Sequence, residues 1–68
     1  MSASSDIAEL TSLRTQLSEL RRRVSALTDR YRSDPDAPLT SDLFGAERQL
    51  GSAARHLDRA ASALDNVR

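Results

Sequence analysis

The strongest constraint on the fold is an unbroken heptad pattern in the first half of the chain. Apolar side chains recur there at alternating spacings of three and four residues, and no proline or glycine interrupts residues 5–32. On an α-helix this spacing forms one stripe, at the a and d positions of a coiled coil. The pattern predicts a helix over about residues 5–32, whose stripe consists of Leu10, Leu13, Leu17, Leu20, Val24, Leu27 and Tyr31.

A helix breaker follows this segment. Two prolines, Pro35 and Pro38, and two aspartates lie within residues 33–38. Proline lacks an amide hydrogen and clashes with the preceding helical turn, so the helix cannot continue through this stretch. We therefore expect a turn at 33–39 and a flexible N-terminus at 1–4. A linker this short predicts that the two helices it joins are antiparallel neighbours.

The second half predicts a helix over about residues 40–67. Thr40 is a candidate N-cap, and Leu39 with Phe44 has the spacing of a hydrophobic staple across the helix start. One heptad position is always leucine, and the position three residues later is almost always alanine. These two rows are Leu43, Leu50, Leu57 and Leu64, and Ala46, Ala53, Ala60 and Val67.

The two patterns match when the helices are laid side by side. With the turn centred near Pro35, Leu20 lies opposite Leu50 and Leu13 lies opposite Leu57. Layers of two leucines alternate with layers of a large residue and an alanine, which lets antiparallel helices approach closely. The sequence thus predicts an all-α fold, an antiparallel two-helix hairpin with a coiled-coil-like Leu/Ala seam.

The size of the chain points to association. A domain of 68 residues exposes too much surface to build a sufficient core unless disulfides, a metal or a partner assist it. There is no cysteine and only one histidine. We therefore expect a homodimer, forming a four-helix bundle, or a complex with a heterologous helical protein. The residues predicted to form the interaction surface are Leu13, Leu20, Leu50, Leu57, Ala53, Ala54, Ala60 and Ala61.

Arginine is concentrated in the first helix, which suggests an alternative. Residues 13–32 contain six arginines and two acids, and a strip of arginines could bind phosphate. The whole chain, however, carries equal numbers of acids and arginines, and no aromatic side chains are interleaved for base stacking. These facts argue against nucleic acid as the partner. The possible anion-binding residues are Arg14, Arg21, Arg22, Arg30 and Arg32, of which the predicted register also brings Arg30 near Asp42.

No pattern in the sequence predicts catalysis, a cofactor or a metal site. His56 has no converging carboxylate, since Asp58 is two residues away and lies on another helix face. Nucleophile elbows and glycine-rich phosphate loops are absent from the sequence. We therefore expect a non-enzymatic protein–protein interaction module, such as a small scaffold, adaptor or regulatory subunit.

The sequence also gives expectations about location and origin. It has no leader-like apolar run after Met1 and no stretch of about 20 apolar residues, which favours the cytoplasm and no membrane association. Arginine without lysine favours a bacterial source.

A further alternative is a small secreted or phage-encoded helical hairpin. Leu43-Phe44-Gly45 resembles the Trp-x-Gly turn of WXG-type secreted proteins in position, although the chain has no tryptophan.

Overall fold

The computed structural model describes residues 3–66, which form two helices and no strand. Helix α1 spans Ala3–Tyr31 and helix α2 spans Thr40–Asn66, and the two pack side by side as an antiparallel hairpin of 49 × 15 × 14 Å. The predicted all-α hairpin is confirmed. The helix boundaries agree with the sequence to within two residues at the ends described. Met1, Ser2 and Val67 lie outside the described residues, while Ala3 and Ser4 are helical.

The connection at 32–39 is a series of tight turns. The amide of Asp34 donates to the carbonyl of Tyr31 at 3.0 Å, and the amide of Ala37 donates to the carbonyl of Asp34 at 3.1 Å. Arg32 stacks over the ring of Phe44, with its guanidinium carbon 5.3 Å from the ring centroid. This contact ties the end of α1 to the first turn of α2, and so closes the hairpin at its loop end.

Thr40 fixes the start of α2, but not in the predicted way. The first helical hydrogen bond runs from the amide of Leu43 to the carbonyl of Leu39, which makes Leu39 the capping position. The hydroxyl of Thr40 instead donates to the carbonyl of Asp34 at 2.9 Å, and the side chain is only 2 % exposed. Thr40 therefore anchors the helix start to the preceding turn rather than capping the helix amides.

Helix α1 faces α2 with its predicted a positions but with only part of its predicted d row. The a-position residues Leu10, Leu17 and Val24 are half-buried as expected, but Leu13 and Leu20 are exposed. The side chain that α1 buries completely is Thr28, at 0 % exposure. Thr28 lies one residue beyond the d-position residue Leu27, at position e of the heptad. The buried face of α1 is therefore centred between positions a and e rather than between a and d. This corresponds to a rotation of about 50°, half the angle between successive helical residues.

Helix α2 shows the matching difference. Gly51 is buried, and Ala54 and Ala61 are half-buried, whereas Ala53 and Ala60 are exposed. Ala53 lines the groove between the helices together with Leu17 but is exposed, and the more buried row of small residues is the neighbouring one, formed by Gly51, Ala54 and Ala61. A row of glycine and alanine permits close approach of the helices, and it leaves part of the leucine stripe uncovered.

Residues 4–66 of the hairpin include no fully buried apolar side chain. Among residues 4–66 the only non-glycine side chains that are buried are those of Thr28 and Thr40. Their hydroxyls are satisfied, since Thr28 donates to the carbonyl of Val24 at 2.9 Å. Every leucine and valine within that range is at least partly in contact with solvent. Two helices form a single layer, and a second layer is the usual way to bury an apolar stripe.

Candidate interaction surface

One side of the hairpin carries an open apolar groove between the helices. It is lined by leucines of α1 and by leucine and alanine of α2, and its surface is almost entirely apolar. Leu13 is 40 % exposed and Leu20 is 44 % exposed, which is high for leucines on a helix–helix boundary. The residues that form this open groove are Leu13, Leu17, Leu20, Ala53 and Leu57, with Gln16 and His56 at its edges.

The open groove has a raised side and a low side. Leu13 and Leu20 lie one heptad apart on α1, and Leu27 continues the same row toward the loop. On α2, the corresponding outer row is alanine, at Ala53 and Ala60, and both are exposed. The groove is therefore bounded by a leucine ridge on α1 and an alanine shelf on α2.

The opposite side of the hairpin is polar. Hydroxyls and charged groups of α1 lie there beside the small residues of α2, and Leu17 separates this side from the open groove. We call it the polar face, and its residues are Thr11, Arg14, Thr15, Ser18, Arg21 and Asp58. An antiparallel hairpin with one apolar and one polar face is suited to pack against a further helical layer through the apolar face alone.

An ion pair joins the helices on the polar face. Nη2 of Arg14 lies 2.8 Å from Oδ1 of Asp58, and Nε of Arg14 donates to the same oxygen at 2.9 Å. Both side chains are about half exposed, so water screens the pair and its contribution to stability is small. It joins the two helices on the face opposite the leucine ridge. The predicted Arg30–Asp42 pair is not among the ion pairs of the described residues.

Arg21 lies across α2 at its glycine. A Cβ placed on Gly51 would be 3.6 Å from Nη2 of Arg21 and 3.8 Å from Nη1 of Arg55. The two guanidinium groups thus cover Gly51 from different helices, and this explains why the glycine is buried near the surface. Both distances are ordinary van der Waals separations, so alanine would fit at this position.

The remaining arginines of the predicted anion-binding set are dispersed. Nη2 of Arg22 donates to Oε1 of Glu19 at 2.6 Å, and Nη2 of Arg32 donates to Oδ1 of Asp29 at 2.9 Å. The hydrogen bond from Arg22 lowers the pKa of Glu19, and the same bond raises the pKa of Arg22. Arg30 lies outside these pairs, at the loop end of the leucine ridge. The structure therefore does not bring the five arginines together in one strip.

The predicted interaction residues divide between the two sides of the hairpin. Four of them line the open groove, namely Leu13, Leu20, Ala53 and Leu57, and Ala60 is exposed. The other three are half-buried, with Ala54 reaching the polar face and Leu50 bordering a small cleft beside Arg21. Sequence reasoning missed the burial of Thr28. The row formed by Gly51, Ala54 and Ala61 was the signal that could have revealed the rotation.

His56 is placed at the edge of the open groove and is exposed. Nη2 of Arg59, one helical turn further on, lies 3.1 Å from its Nδ1. Within residues 3–66, no group of three or more histidine, aspartate and glutamate side chains has a geometry that could hold a metal ion. The histidine thus contributes a polar edge to an apolar groove.

Comparison with known proteins adds no relative. No family, no curated protein and no solved structure matches this chain. Over the described part of the chain, neither helix has the length and apolar character needed to cross a lipid bilayer.

Proposed function

We propose that this protein is a non-catalytic protein–protein interaction module that acts by packing its open groove against the helices of a partner. One observation carries the proposal: no apolar side chain of residues 4–66 is buried, while Leu13 and Leu20 stand exposed in a continuous apolar groove. A small scaffold, adaptor or regulatory subunit would use such a surface. The cytoplasmic location and bacterial origin that the sequence favours stay predictions.

The energetics support a covered groove. Full burial of a leucine side chain contributes about 1.5–3 kcal/mol, so a leucine left 40–44 % exposed forgoes roughly 1 kcal/mol. Fixing each residue's backbone costs about 1–2 kcal/mol in conformational entropy. A hairpin in which every leucine is partly solvated gains too little to offset that cost comfortably. Covering the groove with helices supplies the missing apolar contact.

The polar groups around the groove support specificity. Gln16 and His56 stand at its edges, one on each helix, and neither is buried. Polar groups at the rim of an apolar interface set orientation and discriminate between partners more than they add affinity. An apolar centre with a polar edge therefore supports the proposal that the groove is a small helix-packing interface.

The arrangement of the arginines does not favour the nucleic-acid alternative. Arg14, Arg22 and Arg32 each donate to a carboxylate of the chain itself. A phosphate would have to displace these contacts, and the net charge of zero provides no long-range attraction to a polyanion. Nucleic-acid binding therefore ranks below helix packing as a function of this chain.

Hydroxyl-radical footprinting of the protein in lysate of the cells that produce it tests the proposal without naming the partner. Leu13 and Leu20 are compared with Leu39, which is 39 % exposed but does not line the groove. In an uncovered hairpin the three leucines would be labelled at similar rates. If a partner covers the groove, Leu13 and Leu20 are labelled several-fold more slowly than Leu39.

A variant that blocks the groove provides the control. Leu20→Asp places a charge on the ridge, and it should restore the labelling of Leu13 toward the level of Leu39. Ser18→Asp adds the same charge on the polar face and should leave the protection of Leu13 intact. Equal labelling of all three leucines in the parent protein, at every concentration and in lysate, would show that the groove is not an interaction surface.

A further inference from the structure

We infer that the open groove is covered by the open groove of a second copy of this chain, related by a two-fold axis along the length of the hairpin. The inference rests on the proposed function and names its partner. In this arrangement both loops lie at the same end, and each α1 packs antiparallel against α2 of the other copy. The product is a four-helix bundle in which all neighbouring helices are antiparallel.

The exposed area is consistent with one missing layer of this size. A globular protein of 7.5 kDa exposes about 4,250 Å². The hairpin exposes 5075 Å², an excess of about 800 Å², and a stable interface typically buries about 800 Å² on each partner. A second hairpin laid along the 49 Å length of the first offers a layer of matching extent.

The shape of the groove selects the axis. A two-fold rotation about the long axis places α1 of one copy opposite α2 of the other. The leucine ridge of each copy therefore packs on the alanine shelf of its partner. Leu20 then meets Ala53 of the second copy, and the reverse contact follows by symmetry. A two-fold axis across the hairpin would instead oppose ridge to ridge and shelf to shelf, which leaves leucines crowded on one side and alanines apart on the other.

Charge at the groove edges selects the same axis. Arg30 lies two heptads after Gln16 on α1, and Asp42 lies two heptads before His56 on α2, so both continue the groove edges toward the loop. Both are exposed, and the ion pairs of residues 3–66 include neither. With the two loops at one end, Arg30 faces Asp42 of the second copy, twice in the dimer. The same symmetry sets Gln16 beside His56 of the second copy.

Light scattering and crosslinking of the pure, full-length chain test the inference. The parent protein should have twice the 7.5 kDa mass of one chain, falling to one chain on dilution. Since the sequence has no cysteine, single substitutions report unique positions. An equimolar mixture of Arg30→Cys and Asp42→Cys, treated with a short bis-maleimide, should form a crosslinked dimer that contains one chain of each variant.

The crosslinking rate has a matched control. Thiols held together in one dimer meet at effective concentrations on the order of millimolar, so at about 10 µM protein the mixed pair should react roughly 100-fold faster than a chance encounter. Arg55 lies beside Gly51, away from the groove. Crosslinking of Arg55→Cys to itself therefore measures the rate of chance encounters between chains. Rapid crosslinking of Gln16→Cys to itself, with a slow mixed pair, would show the axis across the hairpin and overturn the inferred arrangement.

The outcomes also separate this inference from the proposed function. A mass of one chain at every concentration overturns the second copy as occupant. If footprinting in lysate still shows a protected groove, the interaction module stands and its partner is a different helical protein. If the groove is unprotected as well, both fail together.

Discussion

The open groove and the polar face are formed by the same two helices, yet they differ in the residues that they present. On the polar face the helices meet at Gly51, Ala54 and the Arg14–Asp58 pair. On the groove side Leu13 and Leu20 are left in solvent. Small and polar residues lie at the helix contact on the polar face, while leucines of the groove side stay partly exposed to solvent.

This difference implies that mutations on the two faces affect different contacts. A change on the polar face alters one contact within a chain. If the proposed partner covers the groove, a change in the groove also alters the contacts with that partner and therefore the stability of the complex. Matched pairs of substitutions, one on each face, measure that asymmetry.

The largest effect is expected for a charge introduced into the groove. Leu57→Asp places a carboxylate at a half-buried position, and it should destabilise the protein by about 3 kcal/mol or more because the charge has no partner. Ser18→Asp places the same charge near Arg14 and Arg21 and should change stability by less than about 0.5 kcal/mol. Urea unfolding followed by circular dichroism measures both, and equal effects would contradict the asymmetry.

A smaller but more discriminating effect comes from two leucines of equal exposure. Leu20 and Leu39 are 44 % and 39 % exposed in the hairpin, so truncation to alanine should cost them similar amounts if nothing covers the groove. We expect Leu20→Ala to cost about 2–3 kcal/mol and Leu39→Ala less than about 1 kcal/mol, since only the first loses contacts with a covering layer. Thermal unfolding at two protein concentrations checks this, and similar losses would indicate an uncovered groove.

Added volume should have opposite effects on the two sides. Gly51→Ala fits beneath Arg21 and Arg55 at van der Waals distance, and it should stabilise the hairpin by about 0.5–1 kcal/mol through helix propensity. Ala53→Leu would obstruct the alanine shelf and destabilise a covered groove by about 1–3 kcal/mol. In an uncovered hairpin, Ala53→Leu should be nearly neutral. Melting temperatures of the two variants distinguish the cases.

The smallest effect is expected for the ion pair of the polar face. Removing Arg14 or Asp58 singly, and both together, should reveal a coupling of about 0.5 kcal/mol or less in a double-mutant cycle, because both side chains are about half exposed. If the coupling energy is electrostatic, added salt should reduce it. A coupling above about 1.5 kcal/mol would place more of the stability on the polar face than the exposure of the pair allows.

Several features of the fold could be predicted because they depend on local sequence. The heptad stripe, the prolines at 35 and 38 and the leucines at intervals of seven predict two helices and an antiparallel hairpin, which the structure confirms. Four of the eight predicted interaction residues line the groove. The errors were the N-cap role of Thr40 and the Arg30–Asp42 pair within the chain. On α2, the row of small residues beside the predicted alanine row is the more buried of the two.

These errors share a physical cause. Each concerns the rotation of a helix about its own axis or a hydrogen bond across the turn, and both depend on groups far apart in sequence. The hydroxyl of Thr40 could have accepted from its own helix or donated to Asp34, and the local sequence allows either. A heptad specifies an apolar stripe, but two adjacent alanine rows on α2 each offered a close approach.

The sequence by itself determined that this chain forms two amphipathic helices and that their apolar surface exceeds what one hairpin can bury. Periodicity and breakers fix these properties within each segment. Only the tertiary structure decided which part of the stripe is used inside the chain. Gly51, Ala54 and the Arg14–Asp58 pair draw the helices together on one side, and the leucine ridge is left on the other because two helices have only one shared boundary.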